Sequence, residues 1–368
     1  MEAEEYAAHG LWDPSSPDAA DRLAFLDWLT ERGVTIDQMI DADRRDHLTG
    51  IAGDLALRPG DRINAAEVAA WAGLTVEAVQ GLALAIGRPV VDAEERAFTS
   101  ADAEVFGLFK VAADFFGEEP LLHFVRVVGS SLGRIADAAV SIFLADVETP
   151  LAQSDAGDLE LAKANLEAIE VAKLLPGLMD VVFRAHMEGA IERNRSARTE
   201  AGSLVTVFMA VGFVDLVGFT PLSQSMPVAE LHTVVDEFEG PALDTVASHG
   251  GRVVKLIGDE VMFVALDAVS AADIALALVD RFGREAHVVP RGGLAVGEIL
   301  TRGGDYYGPV VNVASRIGDL AVPNEILVTD ELRKRVEKTE APLAFDPAGR
   351  RVLKGFDEPL DLFALRRG

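Results

Sequence analysis

Three segments in the second half of this 368-residue chain hold most of the side chains able to do chemistry. Phe213-Val-Asp-Leu-Val-Gly-Phe-Thr220 and Val253-Val-Lys-Leu-Ile-Gly-Asp259 each set a carboxylate, Asp215 or Asp259, beside a glycine that lets a polyphosphate approach the backbone. Acids at strand ends and turns are a recurrent way to hold a hard cation through oxygen. Taken singly, each has a plainer reading: Asp215 can cap the next turn, and a Gly-Asp pair is what a tight hairpin requires. Lys255 separates the two readings. Its neighbours from Val253 to Ile257 are all apolar, and a lysine there needs a partner or a task. The third segment, Asp305-Tyr-Tyr-Gly-Pro-Val-Val-Asn-Val-Ala-Ser-Arg316, adds Asn312 and Arg316 four residues apart, on one face of a helix begun by Gly308-Pro309. Asp305 precedes that helix beside Gly303-Gly304, so acceptor, amide and guanidinium fall within about three helical turns.

These residues need a scaffold in which strands and helices alternate. The pattern predicts a strand over 204–215, a helix from Pro227 to Ser248 stopped by Gly250-Gly251, and a hairpin of strands 252–257 and 261–266 around Gly258-Asp259-Glu260. A helix over Ser270–Arg284, a strand over 291–299 and the helix near Pro309 follow. Then come a βα piece over Glu325–Val336 and a closing strand near Leu360–Leu365. The order βαββαβ is ferredoxin-like, an α+β arrangement.

The first half obeys a different grammar. Leu23, Leu26, Trp28 and Leu29 recur at helical spacing before Gly33, and longer patterns cover Ser100–Phe116, Pro120–Leu144 and Asp158–Glu192. Strand-like alternation is scarce, which predicts an all-α domain of eight to ten helices. Asn64–Ile86 looks like a helix-turn-helix with Thr75 as an N-cap. It carries Glu67 and Glu77 but no Lys or Arg before Arg88, so it offers phosphates nothing and reads as a helical hairpin in a core. Arg193–Ser203 is polar and small, a linker or the end of a signalling helix. The expected domains are therefore 1–192 (all-α, regulatory), 193–203 (linker or transmitting-helix end) and 204–368 (catalytic).

Composition narrows the classes further. The formal net charge is −27, most of the excess lying in the first 200 residues, which argues against nucleic acid and anionic membranes as partners. A small nucleotide stays compatible, because bound cations and a few local bases reverse the field in a pocket. No uninterrupted apolar run approaches the ~18–20 residues of a membrane span, and the N-terminus lacks a secretory pattern. With no cysteine there are no disulfides or thiolate metal sites, in keeping with a cytoplasmic protein.

Residues 204–366, through the ending Leu353-Lys-Gly-Phe-Asp-Glu-Pro-Leu, resemble the catalytic domain of the class III nucleotidyl cyclases, with the Lys/Asp pairing of the adenylyl type. A helical N-terminal domain ahead of it resembles the soluble actinobacterial members. The resemblance implies an adenylate cyclase, a phosphorus–oxygen lyase converting ATP to 3′,5′-cyclic AMP and pyrophosphate. Asp215, Asp259 and the Leu216 backbone carbonyl would hold two Mg²⁺ or Mn²⁺ ions. Lys255 and Asp305 would read adenine, Asn312 would orient the ribose, and Arg316 would stabilise phosphate charge. It also implies a homodimer, the metal acids and the base-reading pair of each site coming from opposite subunits. Glu260 stands where many relatives have glycine and the loop from Gly297 to Asp305 is short, but neither is expected to touch the six positions. The first half would control the second through the helix around Leu175–Arg198, its input a proton at His123 or His186 or an apolar ligand. A catalytically silent nucleotide sensor and a guanylyl cyclase are the alternatives. Lys255 and Asp305 disfavour the latter.

Overall fold

The computed structural model describes residues 3–154, 156–201, 206–219, 226–283 and 289–368. The chain divides into two compact units, Met1–Arg184 and Ala185–Gly368. The division falls inside one long helix, α11 (Leu175–Ala201), which continues through most of the expected linker. Thr220, at the end of the first motif, lies outside the described residues, as do 202–205.

Through α11 the chain is helical, and its helices begin where local hydrogen bonding starts them. Thr35 with Gln38, Asn64 with Glu67, and Thr99 with Asp102 each form a reciprocal capping box. Two apolar cores result. One gathers Tyr6, Phe25, Leu26, Leu29 and Met39, and α10 (Asp158–Ala172) returns to it through the fully buried Ala162. The other surrounds α5 (Ala65–Ala72), α6 (Val76–Ala85) and Phe98 and Phe106. Thr75 caps α6 as its sequence suggests, accepting from the Ala78 N–H at 3.2 Å. The α5–α6 pair bends by 101°, a helix-turn-helix angle rather than an antiparallel hairpin, made possible by Gly73 at φ 65°.

Asp102 is the polar tie of this second core. It accepts from the Thr99 N–H at 2.8 Å, from Arg58 at 2.6 Å and from Arg88 at 3.3 Å, joining the start of α7 (Ser100–Phe116) to the loops before α5 and after α6. Burial pushes its carboxyl up, but the Thr99 N–H, Arg58 and Arg88 together outweigh that and hold it below the usual aspartate value. Asp102→Asn is therefore expected to destabilise the unit by about 1–3 kcal/mol, measured as a lower Tm. The sign with pH follows from the lowered folded value. The Asp102 contribution is complete above the unfolded aspartate pKa of about 3.9 and is lost as pH falls through the folded value, so the Tm gap between parent and variant should close in that acid range.

One long apolar helix adds to the sequence reading. Glu118–Gln153 is a 36-residue helical run, α8 (Glu118–Phe143), a π-turn (Leu144–Glu148) and α9 (Thr149–Gln153), containing an 18-residue stretch of mean hydropathy 1.5 that is only 6 % buried. By length and composition it could cross a membrane. Arg126, Arg134 and Asp137 break the run, which is why uninterrupted apolar stretches overlook it. Its exposed Phe124, Val140 and Ile142 make an apolar surface of the kind that marks an interaction face.

The second unit is an eight-stranded sheet in the order β2-β3-β1-β4-β6-β8-β7, with β5 paired to the end of β4. Its strands are β1 (Thr206–Val217), β2 (Arg252–Ile257), β3 (Glu260–Ala265), β4 (Val289–Arg302), β5 (Asp305–Tyr307), β6 (Ile326–Thr329), β7 (Leu343–Arg351) and β8 (Leu360–Arg367). The helices are α12 (Val228–Ser248), α13 (Ala268–Phe282), α14 (Pro309–Leu320) and α15 (Asp330–Val336). The expected ferredoxin-like βαββαβ core is present in the order β2-β3-β1-β4, every pair antiparallel, and β4–β6 is the parallel junction to the remainder. Alternation along β1 divides the core: Ala210, Val214 and Leu216 face α12 and α13, while Val207, Met209, Val211 and Phe213 face α14. α14 lies close on the sheet because Gly293 meets Gly318. A Cβ at Gly293 would come within 2.4 Å of the Gly318 backbone nitrogen.

Candidate active site

Asp215 does not end its strand. β1 runs on to Val217, and Asp215 sits inside the ladder with Glu260 opposite it on β3 and Arg291 opposite it on β4. As an odd-numbered β1 residue it faces the α14 side of the sheet. Asp259 occupies the β2–β3 turn, where the Leu216 N–H reaches the Asp259 carbonyl at 3.3 Å. Its carboxyl is raised above the usual range, first by burial and then by the charge and hydrogen bonding of Asp215. Two carboxylates sharing a half-buried site destabilise each other as anions, and a divalent cation between them would relieve that.

Sequence reading missed two members of this cluster. Glu260, expected to stand apart, faces Asp215, and burial with the charges of Asp215, Asp319 and Asp259 pushes it up to about 7. Arg291 donates to Asp215 Oδ2 from Nε at 3.3 Å and from Nη2 at 3.1 Å. Both residues are brought to Asp215 by strand register across β3-β1-β4, which a single sequence does not reveal. The usable signal was a lone arginine opening the apolar strand Gly292–Val296, without a partner nearby in the chain.

The other expected residues divide into two groups. Lys255 Nζ donates to Asp305 Oδ2 at 2.5 Å across fifty positions of sequence. β2 and β4 are separated in the sheet by β3 and β1, so the β4–β5 hairpin must cross the α14 face to make that contact. Arg252, donating from Nη1 to the Tyr306 hydroxyl at 3.2 Å, pins it there. The stretch from Gly297 to Asp305 is thus an extended strand and a Gly303-Gly304 turn rather than a short loop, both glycines at positive φ. Burial raises Asp305, but Lys255 and the Tyr306 N–H outweigh it and keep the carboxyl below its usual value, hence an ionised acceptor. Asn312 and Arg316 lie on α14, whose first residue is Pro309, and Arg316 stands 6.0 Å from the Phe356 ring centroid.

The donor set of Asp215 and Asp259 is all oxygen, which suits Mg²⁺ or Mn²⁺ and not a thiolate-seeking metal. Among the described residues no group of three or more His, Cys, Asp and Glu is arranged as a closed metal site. Two carboxylates leave open the positions that waters and substrate phosphates fill in magnesium sites.

Each half of the chain is similar to a known family of domains. Residues 5–191 match the model of the adenylate cyclase regulatory domain, and residues 205–366 match that of the adenylate and guanylate cyclase catalytic domain. The chain is 31 % identical to an adenylate cyclase of Streptomyces coelicolor, over 82 % of this chain and 80 % of that protein. It is 30 % identical to a pH-sensitive adenylate cyclase of Mycobacterium tuberculosis, over 97 % and 91 %. An uncharacterized M. tuberculosis protein is 33 % identical over 94 % and 90 %. The chain belongs to the class III nucleotidyl cyclases. Within that family it is an adenylate cyclase, a lyase, carrying an N-terminal regulatory domain.

Proposed function

We propose that this cyclase converts ATP to 3′,5′-cyclic AMP and pyrophosphate at sites shared by two copies of the chain. The ion pair between Lys255 and Asp305 carries the assignment of the base. Lys255 offers a donor to adenine N1, and Asp305, held ionised, offers an acceptor to the exocyclic amine. Guanine presents an N–H and a carbonyl at those positions, so both groups would meet the wrong partner. Without a nucleotide the pair satisfies itself, and side-chain exposures of 40 % and 28 % leave it accessible to a base that takes its place.

In the reaction the ribose 3′-oxygen bonds to the α-phosphorus, the bond from that phosphorus to pyrophosphate breaks, and the hydroxyl proton leaves. Asn312 holds the ribose for in-line attack, and Arg316 offsets negative charge that grows on the phosphate oxygens. Two Mg²⁺ or Mn²⁺ ions, held by Asp215, Asp259 and the Leu216 carbonyl, would supply activation of the attacking oxygen and neutralisation of the leaving one. The N-terminal unit, residues 1–192 in our division, would control turnover through α11. ATP as substrate supports a cytoplasmic location.

For the input to that unit we favour a proton. His123 Nε2 is buried with no hydrogen-bond partner among the described residues, and one relative is named for its pH sensitivity. The test is product analysis of the full-length protein with ATP or GTP and Mn²⁺ across pH, for the parent, His123→Ala and His186→Ala. Cyclic AMP from ATP alone, with a pH profile displaced in one variant, is the expected result. A cyclic product from GTP alone, or none from either, would refute the enzymatic assignment. Superimposable profiles would remove the histidines.

A further inference from the structure

We propose that Arg58, Arg62 and Arg88 form an anion site in the N-terminal unit, one that takes an oxyanion of the phosphate class. The site belongs to the second core of that unit and uses none of the residues proposed to handle ATP.

Separate turns of the chain bring these guanidinium groups to one carboxylate. Arg58 follows α4 (Ile51–Leu57), Arg62 precedes α5 and Arg88 follows α6. The acid is Asp102, at the start of α7. Its two oxygens accept from the Thr99 N–H at 2.8 Å, the Thr99 hydroxyl at 3.0 Å, Arg58 Nη2 at 2.6 Å and Arg88 Nη1 at 3.3 Å. A carboxylate has about four acceptor positions, and these donors fill them. Asp54, the other acid whose charge reaches Arg62, lies 2.8 Å from His47 Nε2. Arg62 is left over. Its Nη1 is buried with no hydrogen-bond partner among the described residues.

An unsatisfied buried donor is costly, more so when it is charged and stands beside like charge. Burial first, and then the Arg58 charge, lower the Arg62 pKa, with Arg88 adding to this against Asp102 and Asp54. Positive charge is therefore in surplus here, in a chain whose formal net charge is −27. Protein contacts already hold the groups in place. Arg88 Nη2 donates to the Ala97 carbonyl at 2.7 Å, and its guanidinium stands 4.9 Å from the Phe98 ring centroid. Arg96 Nε donates to the Arg62 carbonyl at 2.7 Å. Side-chain exposures of 39 % for Arg58 and 26 % for Arg88 leave an entrance from solvent. Planar forks converging from three turns suit a tetrahedral oxyanion, which has an acceptor for each, better than a halide or a single carboxylate.

The experiment is thermal melting of the full-length protein with EDTA, in inorganic phosphate or pyrophosphate against chloride of equal ionic strength. Parent, Arg62→Met, Arg62→Gln and Arg316→Ala are compared. EDTA and the Arg316 variant separate this site from anion binding in the catalytic unit. The expected result is a Tm raised by about 3–8 °C in the parent and in Arg316→Ala, with no rise in either Arg62 variant. Methionine keeps the apolar stem of Arg62, and glutamine takes its place if that variant does not fold. Whichever anion acts at the lower concentration identifies the source as a single phosphate or a pyrophosphate group. A parent Tm no higher than in chloride overturns the proposal, as does an equal rise in a folded Arg62 variant. A rise lost in Arg316→Ala but kept in Arg62→Met assigns the anion to the catalytic unit and overturns it as well.

Discussion

Asp215→Asn and Lys255→Ala proteins should each be nearly inactive, and an equimolar mixture of the two should recover about a quarter of the parental rate. Removing a metal carboxylate costs several kcal/mol of transition-state stabilisation, or about three decades in kcat. Removing Lys255 leaves Asp305 with an unpaired charge and adenine without its donor. If the metal acids and the base-reading pair of one site come from different subunits, a mixed dimer has one site with both lesions and one with neither. Random exchange makes about half of the dimers mixed, each with one of two sites intact, hence about a quarter of the activity. Steady-state rates at several mixing ratios test this. A mixture no more active than its components would remove the shared site. The same set of proteins reports on the oligomer, because recovery requires subunit exchange.

The second large effect concerns the base. Lys255→Glu combined with Asp305→Ser should lower kcat/KM for ATP by up to about 10⁴-fold and raise the ratio of GTP to ATP use. The two must change together. With Lys255→Glu alone, Asp305 would face a second carboxylate where it now has an ammonium at 2.5 Å, and like charges at that distance would distort the β4–β5 hairpin. With both exchanged, an acceptor meets the guanine ring N–H and a hydroxyl can donate to its carbonyl. Competition assays with the two nucleotides give the ratio directly. An unaltered preference for ATP would show that these residues do not read the base.

Legibility in the sequence followed the range of the interactions. The capping boxes and the Thr75 cap involve residues three apart, and the hairpin around Gly258-Asp259 involves neighbours, so their patterns were readable. The apolar run of β1 was equally plain, except that Asp215 was read as the end of a strand that continues to Val217. β7 escaped notice. Leu343–Arg351 contains Pro347 and Gly349 around a register shift, which an edge strand paired on one side tolerates. β5 is three residues long and exists because the Gly303-Gly304 turn folds it back on β4.

The sequence by itself determined which residue types the chemistry would use: Asp215, Asp259, Lys255, Asp305, Asn312 and Arg316 stand in short motifs whose neighbours set strand, turn and helix. Tertiary structure alone decided their company. Strand register placed Glu260 and Arg291 on either side of Asp215, and the crossing of the β4–β5 hairpin closed Lys255 on Asp305. The reason is physical. Local motifs are written in φ, ψ preferences and spacings of three or four residues. The charge environment of a carboxylate is set instead by side chains from distant strands, and its strength depends on burial and distances of a few ångströms, neither of which exists before the sheet has formed.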